Sequence, residues 1–194
     1  MLNKPLISIV MNCFNGEKYL DEAIESIIKQ NYDNWELIFW DNLSTDKSIN
    51  ILNKYLVKEE RIKLFHSKTH IKLFEARNQA LEKCSGEIIT FLDVDDYWTQ
   101  NKLYCQVKLF EDNEIDLVFG NFYTISEKTK KINKAFIRDL PSGNILDDLL
   151  KKYCVGMLTL AVRKNIILKY KFDNNLSVIG DFDQFRFKEK PIKI

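Results

Sequence analysis

Through residues 6–92, short apolar runs rich in β-branched side chains alternate with segments whose apolar residues recur at helical spacing. No other feature constrains the fold as tightly. Residues 6–11 read as a strand, the Asn15-Gly16 pair as a turn, and Leu20, Ala23, Ile24, Ile27 and Ile28 as one helical face. Asn15 is the expected N-cap of that helix, with Glu17 favouring its first turn. Strands follow at 35–40, 61–65 and 87–92, separated by helices at 45–56 and 73–84. Such alternation predicts an α/β fold with a mainly parallel central sheet and helices on both faces.

The last of these strands runs into Asp93-Val94-Asp95-Asp96. Like charges crowded at the mouth of a packed sheet need a compensating cation or ligand. Mg²⁺ or Mn²⁺ suits the cluster, because hard ions take one or two carboxylates and complete their shell with water and phosphate oxygens. The alternative is a solvated acidic loop that caps the next helix.

Ligands of open parallel sheets bind at the carboxyl ends of the strands, near the point where strand order reverses. Three polar loops sit at such ends: Asn12 to Asn15, Asp41 to Asp46 and Asp93 to Asp96. Together they suit a nucleotide diphosphate. Phe14 can stack on a base, Asp41 can accept a base N–H, Asp93 can hold ribose hydroxyls, and Asp95 or Asp96 can ligate the metal. Each has a structural reading as well, with Phe14 in the core, Asp41 forming a turn, and Ser44 and Asp46 capping the second helix. For Ser44 the structural reading comes first.

Beyond the acidic loop, Leu103, Val107 and Phe110 mark a helix, and residues 115–119 a strand. The lysine-rich stretch 126–134 reads as a hairpin tip or exposed loop, 145–153 as a helix, 157–162 as a strand and 181–188 as a final helix. At 194 residues with 45% hydrophobic content, one globular domain is expected. The balance of 29 basic against 28 acidic residues argues against nucleic acid as a partner. Cys13, Cys84, Cys105 and Cys154 are scattered, which fits reduced thiols in a cytoplasmic protein rather than zinc ligands. No apolar run is long enough to span a membrane, and the N-terminus lacks a signal-peptide pattern.

In order along the chain, Ser8-Ile9-Val10 through Asn15, Ser26 to Gln30, Glu36 to Phe39, Asp41-Asn42-Leu43-Ser44-Thr45-Asp46, Ala76-Arg77-Asn78, Gly86-Glu87-Ile88 and Phe91 to Asp96 resemble the family 2 glycosyltransferases, inverting enzymes with the GT-A fold. The resemblance is strong over roughly the first 110 residues, and an ordered set of this kind is far more specific than any one short motif. It implies that Asp41 contacts the base, Asp93 the ribose and Asp95 the metal, while Arg77 and Asn78 lie near the donor pocket. Asp181, within Gly180-Asp181-Phe182-Asp183, takes the place of the general base. The implied activity is metal-dependent, inverting hexosyl or N-acetylhexosaminyl transfer from a nucleotide-diphosphate sugar, first a UDP-sugar, to a glycan or lipid-linked acceptor. Polysaccharide biosynthesis at the inner face of the membrane, with peripheral association, is the matching setting. Residues 1–120 are expected to form the nucleotide-sugar half and 121–194 the acceptor side.

Asn12 stands where proline is common, Phe14 where tyrosine is common, and Gly180 where glutamate is usual. The end at Ile194 leaves a fragment, a minimal enzyme and an inactive remnant as readings, the last a non-catalytic module that binds a nucleotide sugar or a partner. A sugar nucleotidyltransferase is disfavoured, since Asn12 to Gly16 holds a single glycine where a glycine-rich phosphate loop would stand. A receiver-like domain would arrange its acids across different strand ends.

Overall fold

A computed structural model describes residues 4–143 and 154–174. Its elements are β1 (Ile7–Cys13), α1 (Leu20–Ile28), β2 (Trp35–Asp41), α2 (Ser48–Leu56), β3 (Ile62–His66), α3 (Leu73–Leu81), β4 (Ile88–Phe91), α4 (Lys102–Leu109), β5 (Leu117–Val118), β6 (Tyr123–Ile125), β7 (Ile132–Lys134), a 3₁₀ turn (Met157–Thr159), β8 (Ala161–Arg163) and α5 (Lys164–Lys169).

Six strands form one sheet in the order β3-β2-β1-β4-β8-β5. The pairs β1–β2, β2–β3 and β1–β4 are parallel, whereas β8 runs antiparallel to both its neighbours. Strand order therefore reverses between β1 and β4, which places the switch point where the loops after Cys13 and Phe91 leave the sheet.

Side chains alternate across the sheet and fill two cores. Ile7, Ile9, Met11, Leu37 and Phe39 pack under Leu20, Ile24 and Ile27 of α1, Leu52 of α2 and Leu103 of α4. Val10, Ile38, Ile89 and Phe91 face the other way, against Phe74, Ala80 and Leu81 of α3 and Ile167 of α5. Burial on both faces explains why β1, β2 and β4 read as largely apolar runs, whereas the edge strand β3 is only partly buried. Each fully buried Ile, Leu or Phe contributes about 1.5–3 kcal/mol.

At the amino ends of these strands, Glu36 is buried and accepts hydrogen bonds from Ser8 Oγ, Lys63 Nζ and the backbone N–H of Ser85. Burial opposes its charge, but these donors outweigh that cost and hold the carboxyl below its usual range. Gly86 is needed here, because a Cβ would stand 2.6 Å from the Leu6 carbonyl oxygen and the Ser8 nitrogen.

Two expectations change and a third, the exposed hairpin at 126–134, is met. Asn15 is not an N-cap: α1 begins at Leu20, and Asn15 holds a left-handed backbone with φ 56°. Of residues 157–162 only Ala161 and Val162 are strand, since Met157–Thr159 is a 3₁₀ turn before β8. Within 126–134 the chain turns at Lys130 (φ 56°) and closes an exposed hairpin of β6 and β7. The expected helices at 145–153 and 181–188 lie outside the described residues.

Candidate functional site

The first two loops at the carboxyl end are tied together by reciprocal hydrogen bonds. Asn15 N–H donates to Ser44 Oγ (3.1 Å), and its own Oδ1 accepts from Thr45 N–H (2.8 Å). Gly16 N–H donates to Ser48 Oγ (2.9 Å) and Glu17 N–H to Asp46 Oδ2 (2.9 Å), while Lys47 N–H returns a bond to Glu17 Oε2 (2.8 Å). Burial raises the cost of a charged Asp46, yet the donors from Ser48 and Glu17 prevail and its carboxyl is held low. These bonds also explain why α2 starts at Ser48 rather than at residue 45: the residues before it serve the loop.

Asp41 closes β2 beside His66 of β3, its partner in register. Its carboxylate is only 4% exposed. Oδ1 accepts from Ser44 N–H (3.1 Å), and Oδ2 faces His66 Nδ1 (3.2 Å). Phe14 is 50% exposed, and its ring meets His70 with centroids 4.3 Å apart at 57°. His70 is fixed in turn by Nδ1, 3.1 Å from the Asn42 carbonyl oxygen, while the Asn42 amide pairs with both backbone groups of Ile71.

Across the switch point lies the acidic loop. Val94 is the point of contact, because a Cβ on Gly16 would come within 2.8 Å of Val94 Cγ2. Only a glycine lets the loop after β1 approach the loop after β4 this closely. Arg77, buried on α3, reaches Asp93 with Nη2 at 3.2 and 3.3 Å from its two oxygens. Its guanidinium sits among the rings of Phe74, Phe91 and Phe172 at 5.6–6.0 Å, so burial and aromatic contact aim it. Asp95 is exposed. The Asp96 carboxyl is pushed up to about 6 by burial first and then by the charges of Asp93 and Asp95. Among the described residues, no group of three or more His, Cys, Asp or Glu side chains is arranged to hold a metal ion.

This geometry can be set beside known proteins. The Glycosyl transferase family 2 model matches residues 8–173. The chain belongs to glycosyltransferase family 2. Within the family it is 45% identical over 121 residues to an uncharacterized glycosyltransferase of Haemophilus influenzae, covering 62% of this chain and 48% of that one. It is 32% identical over 191 residues to WfgD of Escherichia coli, a UDP-Glc:alpha-D-GlcNAc-diphosphoundecaprenol beta-1,3-glucosyltransferase, covering 90% and 73%. Among solved structures, S. aureus TarS 1-349 in complex with UDP superposes with a TM-score of 0.76 at 24% identity, covering 93% of this chain and 53% of TarS 1-349. The mannosyltransferase PcManGT of Pyrobaculum calidifontis, in complex with GDP-Man and Mn²⁺, gives 0.69 at 16% identity, covering 90% and 49%. The sheet is thus the GT-A fold. The chain spans about half the length of the Haemophilus relative and of both solved structures.

In this family 2 chain the candidates from the sequence fall into three groups. Phe14, Asn15 and Asp41 line one side of the switch point, and Asp93, Asp95 and Asp96 the other, with Arg77 behind Asp93. Asn78 is turned elsewhere: its Nδ2 donates to the Phe172 carbonyl (2.8 Å) and Asn174 Oδ1 (2.9 Å), and its Oδ1 accepts from Phe172 N–H (3.0 Å). Asp181 lies outside the described residues. Sequence reasoning missed Ser48, His66 and His70. Ser48 left a trace, a serine four residues before the buried Leu52 on the same helical face. Of the histidines, the chain's only two, His66 ends β3 and His70 stands four residues on. Among the described residues no helix is long and apolar enough to cross a membrane.

Proposed function

We propose that the chain supplies the donor-binding part of a metal-dependent, inverting glycosyltransferase that moves a hexosyl or N-acetylhexosaminyl group from a UDP-sugar to a hydroxyl of a glycan or lipid-linked acceptor. One observation supports this most. The base-facing loop of Phe14 and Asp41 and the acidic loop of Asp93 to Asp96 meet at the switch point through the Gly16–Val94 contact. Residues 1–120 then form the nucleotide-sugar half and 121–194 the acceptor side. The UDP-Glc donor and diphosphoundecaprenol-linked acceptor of WfgD favour the same pairing here, with the enzyme working at the inner membrane face.

The donor set fits a hard divalent ion. Asp95 and Asp96 offer carboxylate oxygens in a loop where charge is crowded, and no hydrogen bond among the described residues offsets that crowding at Asp96. Asp95 and Asp96 would hold Mg²⁺ or Mn²⁺, which would supply positive charge to the departing nucleotide diphosphate. Phe14 stacks on the base, and Asp41 accepts its N–H. Asp93, aimed by Arg77, takes the ribose hydroxyls, and Asn15 holds the loop beneath. Asn78 acts by anchoring residues 172–174 over α3. A sugar hydroxyl is a weak nucleophile at neutral pH, so attack needs a base, and Asp181 is the candidate. One in-line displacement inverts the anomeric carbon without a covalent intermediate.

Incubation with UDP-glucose or UDP-N-acetylglucosamine and a diphosphate-linked lipid acceptor, with MnCl₂ or with EDTA, tests this reading. Metal-dependent UDP release and a raised melting temperature are expected. Stabilisation by UDP without transfer supports the binding module instead, and the absence of both stabilisation and transfer defeats the reading.

A further inference from the structure

Both histidines of the chain stand at the base-facing loop, and each contact fixes which ring nitrogen carries hydrogen. An ionised carboxylate and a backbone carbonyl only accept, so the nitrogens facing them donate. His66 Nδ1–H therefore points at Asp41 Oδ2 (3.2 Å), and His70 Nδ1–H at the Asn42 carbonyl (3.1 Å). His66 is 53% exposed and Asp41 4%, so the imidazole covers the outer side of a carboxylate whose inner oxygen is held by Ser44 N–H. With one donor on each oxygen the carboxylate cannot rotate, and its remaining lone pairs keep one direction. His70 does the corresponding work for the ring of Phe14.

Resting on the donor reading above, we propose that His66 is the positioning residue through which Asp41 selects a nucleobase bearing an imide N–H, and that His70 holds Phe14 as the wall on which that base stacks. Uracil presents N–H at the ring position where cytosine presents a lone pair. A fixed carboxylate hydrogen-bonds the first and faces the second lone pair to lone pair. A freely turning carboxylate could move away from cytosine and discriminate less. One hydrogen bond to a charged group, with its loss leaving a buried acceptor unpaired, corresponds to about tenfold or more in affinity.

The test compares UDP with CDP, each with MgCl₂, by calorimetry on the native chain, His66→Ala and His66→Asn. The native chain should prefer UDP by about tenfold or more, and His66→Ala should lose most of that ratio. His66→Asn, whose amide N–H can stand near the place of Nδ1–H, should recover it. Loss of a merely structural contact would weaken both nucleotides together and leave the ratio unchanged, so an unchanged ratio in His66→Ala overturns the proposal while the donor reading stands. A native ratio near one overturns it too. If neither nucleotide binds the native chain, the donor reading falls and takes this inference with it.

Discussion

Two acidic regions face each other across the switch point, and they differ in what surrounds their carboxylates. Asp41 and Asp46 sit among donors from Ser44, Ser48, Glu17 and His66. Asp95 and Asp96 sit beside another carboxylate, Asp93, whose own partner is Arg77. A carboxylate satisfied from within can position a ligand without further help, whereas crowded ones require positive charge from outside. The sharpest way to break this contrast is Asp95→Ala. Removing a group that stabilises charge developing in a transition state costs on the order of 10²–10³ in rate, and the Mn²⁺ dependence of UDP stabilisation should vanish with it. A thermal-shift series with MnCl₂ and UDP reads the second effect separately. If Asp95→Ala kept its response to Mn²⁺, the acidic loop would not be the side that needs a cation.

The contact that brings the two regions together should be the next most sensitive. In Gly16→Ala the new methyl stands 2.8 Å from Val94 Cγ2 and 3.3 Å from Cys13 Sγ, inside a buried junction. Overpacking of this kind costs about 1–3 kcal/mol. Chemical denaturation measures that loss, and UDP affinity should fall beyond it, because the loops are pushed apart at the ligand. Equal stability and affinity in Gly16→Ala would show that the two loops act independently.

The same contrast explains what could be read from the sequence. Strands β1 to β4 emerge close to where their apolar runs place them, because the runs of β1, β2 and β4, buried on both faces, stand out between segments of helical period. At β8 the signal fails: a short apolar run does not distinguish strand from 3₁₀ turn, and Met157–Thr159 takes the turn. The acidic loop is legible because three carboxylates after an apolar run are conspicuous. The donors that Glu17 and His66 bring to Asp46 and Asp41 are not, since strand order alone brings these residues near; only Ser44 and Ser48 are local. His66 reaches Asp41 through β-sheet register, and Ser48 reaches Gly16 across 32 residues of chain. Arg77 and Asp93 meet only because α3 crosses back over the sheet.

A gentler probe of the crowded side is its pH response, read without metal. Asp96, pushed up to about 6, holds its proton more tightly when folded than when unfolded. Its contribution to stability is therefore full below the ordinary carboxylate range and is lost as pH rises through about 6. Asp96→Asn cannot ionise, so in EDTA its melting temperature should exceed that of the native chain at pH 7–8, and the gap should close by pH 4. A constant gap across that range would mean that the Asp96 charge is already compensated within the protein.

The smallest effect belongs to the donor-rich side, at Ser44. Its Oγ accepts the Asn15 N–H at 3.1 Å in an exposed setting, where water can take over the bond, and its 3.6 Å contact with Cys13 Sγ is weak. The backbone N–H of Ser44, which holds Asp41 Oδ1, survives any side-chain substitution. Ser44→Ala should therefore change stability by less than about 0.5 kcal/mol and leave UDP affinity where it was. The result bears on the comparison because the serine hydroxyl and the Asp41 carboxylate share one loop. Unchanged affinity keeps ligand recognition with the carboxylate and leaves the hydroxyl as a loop tie. A tenfold loss of affinity at undiminished stability would instead make the hydroxyl a ligand contact, and the donor-rich side would then be reading the nucleotide with more than its carboxylate.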